Sequence, residues 1–333
     1  MSILVTGGAG YIGGHTVLQL ADAGEKVTVL DNLTTGFQWA VDDRVDFVEG
    51  NAGDTEAVTA LLQERGIKSI LHFAGSIVVP ESVENPLKYY HNNTATTRNL
   101  IEAAVNAGVK HFIFSSTAAV YGMAGMEPVG EENPLSPESP YAKSKLMSEM
   151  MLADVAFAHD IKYGVLRYFN VAGADPQGRS GQSTPLATHL IKVACQTALG
   201  QRDKMKIFGT DYETPDGTCI RDYIHVTDLA EAHALLLNYL RDGGESTTMN
   251  CGYGRGYSVK EVVGVVKKAT GIDFVAEETG RRAGDPAAIV AQADRARSVL
   301  GWEPKHDDLR EIVDHAFAWE KYLLTRNDRP ELG

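Results

Sequence analysis

The sequence predicts an α/β fold, a doubly wound parallel sheet carrying a smaller mixed α/β domain, and three observations predict it. The chain opens on an unbroken apolar run, Ile3-Leu4-Val5, that leads into Gly7, Gly10 and Gly13 at three-residue spacing. Short apolar runs and helical stretches then alternate through the first half of the 333 residues. After a polar, glycine-rich stretch at 174–184 the pattern becomes mixed.

A run with no polar alternation suits a strand covered on both faces, as in parallel sheets. At the turn from strand to helix, glycine permits a tight bend and a close backbone approach. The free N–H groups of the helix's first turn would then receive a pyrophosphate. A second strand at 27–30 ends at Asp31, near the spacing at which an acid takes a ribose hydroxyl pair, which favours NAD over NADP. Further strands are expected at 45–48, 69–73, 109–116 and 163–169, with a long helix at 86–107 closed by Gly108. Ser139-Pro140 opens another helix, Ser as cap and Pro in the first turn, running to about residue 159. This alternation is that of right-handed βαβ units in a Rossmann-type sheet. Residues 1–173 are therefore expected to form the NAD-binding domain, with later segments returning to it, and 174–333 mainly the substrate-binding domain. In the second half, Ser258 and Glu261 make a capping box for a helix at 258–270 that Gly271 stops. A last helix, 308–324, places Leu309, Ile312, Val313, Ala316 and Phe317 on one face.

Apolar residues make up 44% of the chain and charged residues 23%, the balance of an ordinary globular enzyme. The net charge of −13 repels nucleic acid and anionic membrane, so neither is an expected partner. An anionic substrate would need a local cationic pocket. Cys195, Cys219 and Cys251 are odd in number and far apart, which suggests neither a disulfide framework nor a zinc site, and no metal is expected. With a strand beginning at residue 2 and no apolar run of membrane-spanning length, the cytoplasm is the expected compartment.

Tyr141 and Lys145 stand four apart on the helix that Pro140 opens, so both project from one face. A phenol, with a pKa near ~10, is a poor base at neutral pH, but an adjacent ammonium and a positive nicotinamide ring favour the phenolate. Lowering that pKa by about 3 units takes roughly 4 kcal/mol, within reach of two cations shielded from water. Alone the pair is weak, since about one chance Tyr-x-x-x-Lys is expected in such a chain and a surface i,i+4 pair is the plainer reading. Its context strengthens it. The strand ending at Ser115-Ser116-Thr117 should open its carboxyl end on the dinucleotide crevice. There a hydroxyl of Thr117 or Ser116 would donate to, or relay the proton of, a reacting alcohol. For Ser115 and Ser116 the plainer reading, a strand-end hydroxyl that caps the next turn, stands equally beside it.

The glycine turn, Asp31, the Ser/Thr strand end and Tyr-x-x-x-Lys, in this order, resemble the extended short-chain dehydrogenase/reductase superfamily. The strings GGAGYIG (7–13), DNL (31–33), HFAG (72–75), YYHNN (89–93), FSSTAAVYG (114–122), SPYAKSKLMSE (139–149), LRYFNVAGA (166–174), IFGTDYETPDGTCIRDYIHVTDLA (207–230) and RRAGD (281–285) narrow it. Together they resemble the UDP-glucose/UDP-galactose 4-epimerase family over essentially the whole chain, most selectively at 207–230 and 281–285.

The resemblance implies that Tyr141 takes the proton of a sugar 4-hydroxyl while hydride passes to NAD, and that hydride returns to the other face once the 4-keto sugar has turned. It implies that Gly7, Gly10, Tyr11, Ile12 and Gly13 line the cofactor diphosphate and that Asp31 and Asn32 hold the adenosine ribose. Asn51 and Ala52 lie near adenine, and Phe73, Ala74 and Gly75 flank the cofactor. Asn92, Thr117, Tyr141, Lys145 and Phe169 complete that site. For a UDP-hexose the matches are Thr117, Tyr141, Asn170, Phe208, Arg221, Arg282 and Asp285, with the arginines as forks for the diphosphate and Phe208 as a stacking face for uracil. Without the resemblance these arginines read equally as loop cations or salt-bridge partners. A homodimer through the helices at 86–107 and 140–158 is implied as well.

Four positions depart from the family pattern. Ile77 stands where many relatives carry a lysine near the cofactor. Asn51 replaces an aspartate but keeps an acceptor carbonyl. Thr184-Pro185-Leu186 lacks paired asparagines often found there. Ile289, four after Asp285, has intermediate bulk where bulk limits the sugar's 2-substituent, which leaves N-acetylhexosamines open. Epimerisation of UDP-N-acetylglucosamine is therefore an alternative; epimerisation of UDP-glucuronate, or its decarboxylation, is another, since the sequence assigns no cation to face a sugar carboxylate. A nucleotide-sugar 4,6-dehydratase would need an acid beside the strand-end hydroxyl, where Ala118 and Ala119 stand instead. A non-catalytic NAD sensor, the reading from another class, has no need of the Tyr/Lys pair.

Overall fold

The apolar runs become strands because each can bury both of its faces. In the computed structural model, which describes residues 2–184, 187–282 and 284–326, they form β1 (Ser2–Thr6), β2 (Lys26–Asp31), β3 (Asp46–Glu49), β4 (Ile67–His72), β5 (His111–Ser115) and β6 (Lys162–Tyr168). These strands are all parallel, and a seventh, Thr247–Cys251, returns from the second half of the chain to pair with β6. The order across the sheet is the seventh strand, then β6, β5, β4, β1, β2 and β3. Ile3, Val5, Leu71, Ile113 and Leu166 face one layer, with Val17 and Leu20 of the Tyr11–Asp22 helix and Leu229, Leu236 and Leu237 of the Val226–Arg241 helix. Leu4, Ile70, Phe112, Phe114 and Val165 face the other, with residues of the Thr55–Glu64, Thr96–Asn106 and Pro140–Ala158 helices. Both faces are thus dry, which is why no strand of this sheet needed polar alternation.

The doubly wound fold expected from the sequence is the one observed, with one local correction. The helix expected at 86–107 is not continuous: Pro86–Tyr89 and Thr96–Asn106 flank a π-helical turn at Tyr90–Ala95. The wider turn is held by polar bonds. Asn93 accepts from Ser76 N at 2.8 Å and donates to Ser76 O and to Ser144 Oγ, both at 3.0 Å, while Asn92 donates to Ser76 Oγ at 3.0 Å. Such turns recur at functional sites, and this one ties the loop after β4 to the helix bearing Tyr141.

In the second half, the strand Ile220–His225 pairs with Asn170–Ala172, Gly256–Ser258 and Ala288–Ile289. The capping box at Ser258 and Glu261 is present, with Gly271 left-handed at φ 71°. The last helix, Leu309–Leu323, is capped by Asp308 and buries Leu309, Ile312, Val313 and Phe317. All three cysteines are free and buried, and no described helix is long and apolar enough to cross a membrane.

Burial holds several histidines neutral: His15 and His233 are pushed down to about 4, and His72 to about 3, from an ordinary 6.5. A base with a depressed folded pKa stabilises the fold above its unfolded pKa, and that contribution is lost as the pH falls from 6.5 towards the folded value. The histidine contribution to the unfolding free energy should therefore hold steady above about pH 6.5 and fall below it, by up to about 1.4 kcal/mol per pH unit for each histidine. Urea titrations between pH 8 and pH 5 measure this directly.

Candidate active site

The three glycines of the first turn serve three different contacts. Gly7 is left-handed at φ 74°, and a Cβ there would lie 2.6 Å from Ala74 N. A Cβ at Gly13 would come 2.2 Å from Gly7 O, so the helix could not seat on the turn. Gly10 is different. It caps the Tyr11–Asp22 helix in an ordinary extended conformation, and a Cβ there would meet only Gly7 O, at 3.2 Å. The protein itself scarcely needs glycine at that point. The space beside it is otherwise open within 4 Å, at the end of a helix whose leading N–H groups lack intrahelical partners, which is the kind of place that receives an anionic diphosphate. The residues around it suit a dinucleotide.

Asp31 is buried at the end of β2 and accepts from Ala9 N at 3.0 Å and Leu33 N at 2.9 Å, which orients its carboxylate beside the turn. Asn32 accepts from Thr34 N, and Asn51 from Gly53 N at 2.8 Å. Ala52 is buried in the core under β2. Phe73 and Ala74 follow β4, and the Phe73 ring packs on His233 at 4.8 Å. Gly75 is exposed, in a spot where a Cβ would come 2.9 Å from Asn93 Oδ1 and 3.9 Å from Lys145 Nζ. Ile77 is 51% exposed and turned to solvent.

The end of β5 and the Pro140–Ala158 helix meet residue by residue. Ser139 caps that helix through Ala142 N. Lys145 Nζ donates to Ser115 O at 3.0 Å and lies over the Phe114 ring at 4.8 Å. The Ser115 hydroxyl donates to the Tyr168 hydroxyl at 2.9 Å, and the Ser116 hydroxyl donates to Glu149. Ser116 is thereby committed to Glu149, and it is the Thr117 hydroxyl that caps the next turn, accepting from Ala119 N at 3.1 Å, while also acting on the Tyr141 phenol. Tyr141 is buried beside Tyr89, edge to face at 6.4 Å.

Burial sets the electrostatics here. It pushes the Tyr141 phenol above its ordinary value, an effect that Thr117 partly offsets. It also pulls the Lys145 ammonium down to about 8, against the opposing charge of Glu149. The protein alone does not make Tyr141 a ready base; a further positive charge brought into the crevice would do so.

On the substrate side, the small sheet gathers residues that are distant in sequence. Asn170 pairs with Tyr223, and Arg221 with Ile289. Arg221 donates to Ile220 O at 2.8 Å and faces Asp285 at 3.4 Å. Arg282 lies over the Phe208 ring at 3.6 Å, so one stacking face is already covered by a guanidinium. Ile289 is buried with Phe169, Val120 and Val129. The Tyr11 hydroxyl donates to Gly173 O at 2.7 Å, tying the glycine turn to the connection that follows Asn170. The Pro185 departure lies outside the described residues.

Sequence reasoning missed Asn93, Glu149 and Arg167. The signal for Glu149 was available: it sits one helical turn beyond Lys145 and two beyond Tyr141, an acid on a helix face that must be buried.

A profile of the NAD dependent epimerase/dehydratase family matches residues 3–252. The UDP-glucose 4-epimerase of Azospirillum brasilense is 54% identical over 321 residues, covering 96% of this chain and 92% of that protein. The solved UDP-glucose 4-epimerase of Brucella ovis, in complex with NAD, superposes with a TM-score of 0.92 at 44% identity, over 95% of this chain and 97% of its own. That of Bifidobacterium longum, in complex with NAD+ and UDP, gives 0.92 at 35% identity, over 97% and 98%.

The glycine contacts separate fold from ligand. Gly13→Ala should lower stability by about 1–3 kcal/mol through overpacking. Gly10→Ala should cost about 1 kcal/mol or less yet strip bound dinucleotide from the purified protein, read as NAD released per chain on denaturation.

Proposed function

Since the chain belongs to the NAD dependent epimerase/dehydratase family, we propose that it interconverts UDP-glucose and UDP-galactose through a 4-keto sugar, as an isomerase of nucleotide-sugar metabolism. One observation carries this reading beyond the likeness: a buried phenol, Tyr141, lies one turn from Lys145, whose ammonium donates to the last carbonyl of β5, with the Thr117 hydroxyl close enough to offset part of the effect of burial on that phenol.

NAD, when bound, supplies the acceptor for the hydride at sugar carbon 4 and gives that hydride back to the opposite face. Gly7, Gly10, Tyr11, Ile12 and Gly13 hold its diphosphate, and Asp31 and Asn32 its adenosine ribose. Asn51 and Ala52 lie by the adenine. Phe73, Ala74, Gly75, Asn92 and Phe169 line the remainder, with Lys145 on the ribose nearer the reaction. Tyr141 takes the 4-hydroxyl proton and later returns it, and Thr117 orients that hydroxyl. The ammonium of Lys145, in the same dry compartment, favours the charge that Tyr141 must carry.

Asn170, Phe208, Arg221, Arg282 and Asp285 bind the UDP moiety, and residues 174–333 are mainly the nucleotide-sugar domain. Arg221 and Arg282 present guanidinium forks to the diphosphate in a chain of net charge −13. On binding, Arg282 leaves the Phe208 face for the diphosphate and frees that ring for the uracil. The compartment is the cytoplasm and the assembly a homodimer. Met147, Met150 and Phe157 of the Pro140–Ala158 helix are exposed, as are Val83 and Leu87 beside it, an apolar patch that a second copy would cover.

Purified protein given UDP-galactose and no added NAD should produce UDP-glucose, with no NADH accumulating; stoichiometric NADH would mark a net dehydrogenase instead. Tyr141→Phe should keep its NAD and lose about 10²-fold or more in kcat, and turnover at the parent rate would rule out Tyr141 as base. In sedimentation velocity, Met150→Glu should shift the parent dimer towards monomer.

A further inference from the structure

Three residues of one helix meet three consecutive residues of one strand end. The Thr117 hydroxyl acts on the Tyr141 phenol, Lys145 donates to Ser115 O, and Glu149 accepts from Ser116. Glu149 has a second partner. Arg167 of β6 grips it through Nε, at 3.2 and 3.1 Å from its two oxygens, and through Nη2 at 2.6 Å. Both side chains are 7% exposed. Arg167 also donates to the Tyr121 hydroxyl at 3.1 Å, and Tyr121 in turn to Asn250 Oδ1 at 2.7 Å, on the seventh strand.

Stability alone does not account for this arrangement, because a buried ion pair is often no better than well-packed apolar groups of the same volume. What apolar groups cannot supply is a fixed negative charge one helical turn from Lys145. We propose that Glu149 is a positioning residue of the epimerisation, pinning to the catalytic helix the end of β5 through Ser116 and β6 through Arg167, and facing Lys145 with that charge. The role rests on Tyr141 as the base.

Among the described residues, Glu149 is the carboxylate that acts on Lys145. From β4 comes His72, held neutral by burial and bonded to Thr6 and Thr97. From β5 come the Ser115 carbonyl and the Phe114 ring, and from its own helix Tyr141 and Glu149. Glu149 itself is faced by Ser116, by Arg167 and by the Tyr163 phenol of β6, whose ionisation its charge opposes. Burial already drags the ammonium towards its neutral form. Removing the facing anion lets it lose its proton at lower pH, and Tyr141 then loses the cation that favours its phenolate.

The test compares Glu149→Gln, Glu149→Asp and the double variant Glu149→Gln/Arg167→Met, all as holoenzyme, with Tyr141→Phe as reference. The double variant removes the guanidinium that Glu149→Gln alone would leave short of a countercharge, and so covers the case in which the single variant fails to fold. Melting temperature and NAD content establish folding. Expected in the folded glutamine variants is a kcat about tenfold lower at neutral pH with KM for UDP-galactose within about twofold, and an alkaline limb about one pH unit lower. The Tyr141 ionisation midpoint, taken from tyrosinate ultraviolet absorbance against Tyr141→Phe, moves up. Glu149→Asp keeps the charge and restores the limb. A folded double variant with the parent pH profile and the parent tyrosinate midpoint overturns the role of Glu149. Full activity in Tyr141→Phe overturns both that role and the base it serves, so the two failures are distinguishable.

Discussion

The placement of β1 between β2 and β4 governs the rest of the molecule. The chain builds outward from β1 to β2 and β3 on one side, then crosses back to lay β4, β5 and β6 on the other. The loops leaving β1 and β4 therefore part in opposite directions at the carboxyl edge of the sheet and leave a crevice between them. Gly7 keeps that crevice narrow, since its backbone lies against Ala74 in the loop after β4. The end of β5 stands next in line, and the helix carrying Tyr141 packs across it. Parallel hydrogen bonding thus brings the glycine turn, the strand-end hydroxyl and the phenol to one edge.

Burial makes the site's charges both costly and effective. Lys145 and Tyr141 each resist ionisation because water is excluded around them, and in the same dry space every remaining charge acts strongly. The buried groups are arranged so that each carries a partner: Lys145 on Ser115 O, Glu149 on Ser116 and Arg167, His72 between Thr6 and Thr97. The cost of drying out these groups is met by geometry, which in turn limits how far the helix can shift without breaking several bonds at once.

Two features show how polar side chains refine a fold set by apolar ones. The π-helical turn at Tyr90–Ala95 interrupts what periodicity alone reads as one helix, because Asn92 and Asn93 are drawn to Ser76 and Ser144. On the substrate side, Arg282 rests on Phe208. In an acidic chain a guanidinium and a bare aromatic face find one another, and a nucleotide bound as proposed would compete for both.

By itself the sequence determined what local signals can carry. The apolar runs, the glycine turn and Asp31, the Ser139 and Ser258 caps and the Tyr141/Lys145 spacing each depend on neighbours a few residues away, and each is legible for that reason. Tertiary structure alone decided which later segment, Thr247–Cys251, returns to the large sheet, the commitment of Ser116 to Glu149, and the grip of Arg167 on that same carboxylate. Those outcomes turn on which distant polar groups are dried out together. A buried charge must find whatever partner the packing brings within reach, and no spacing along the chain records that encounter.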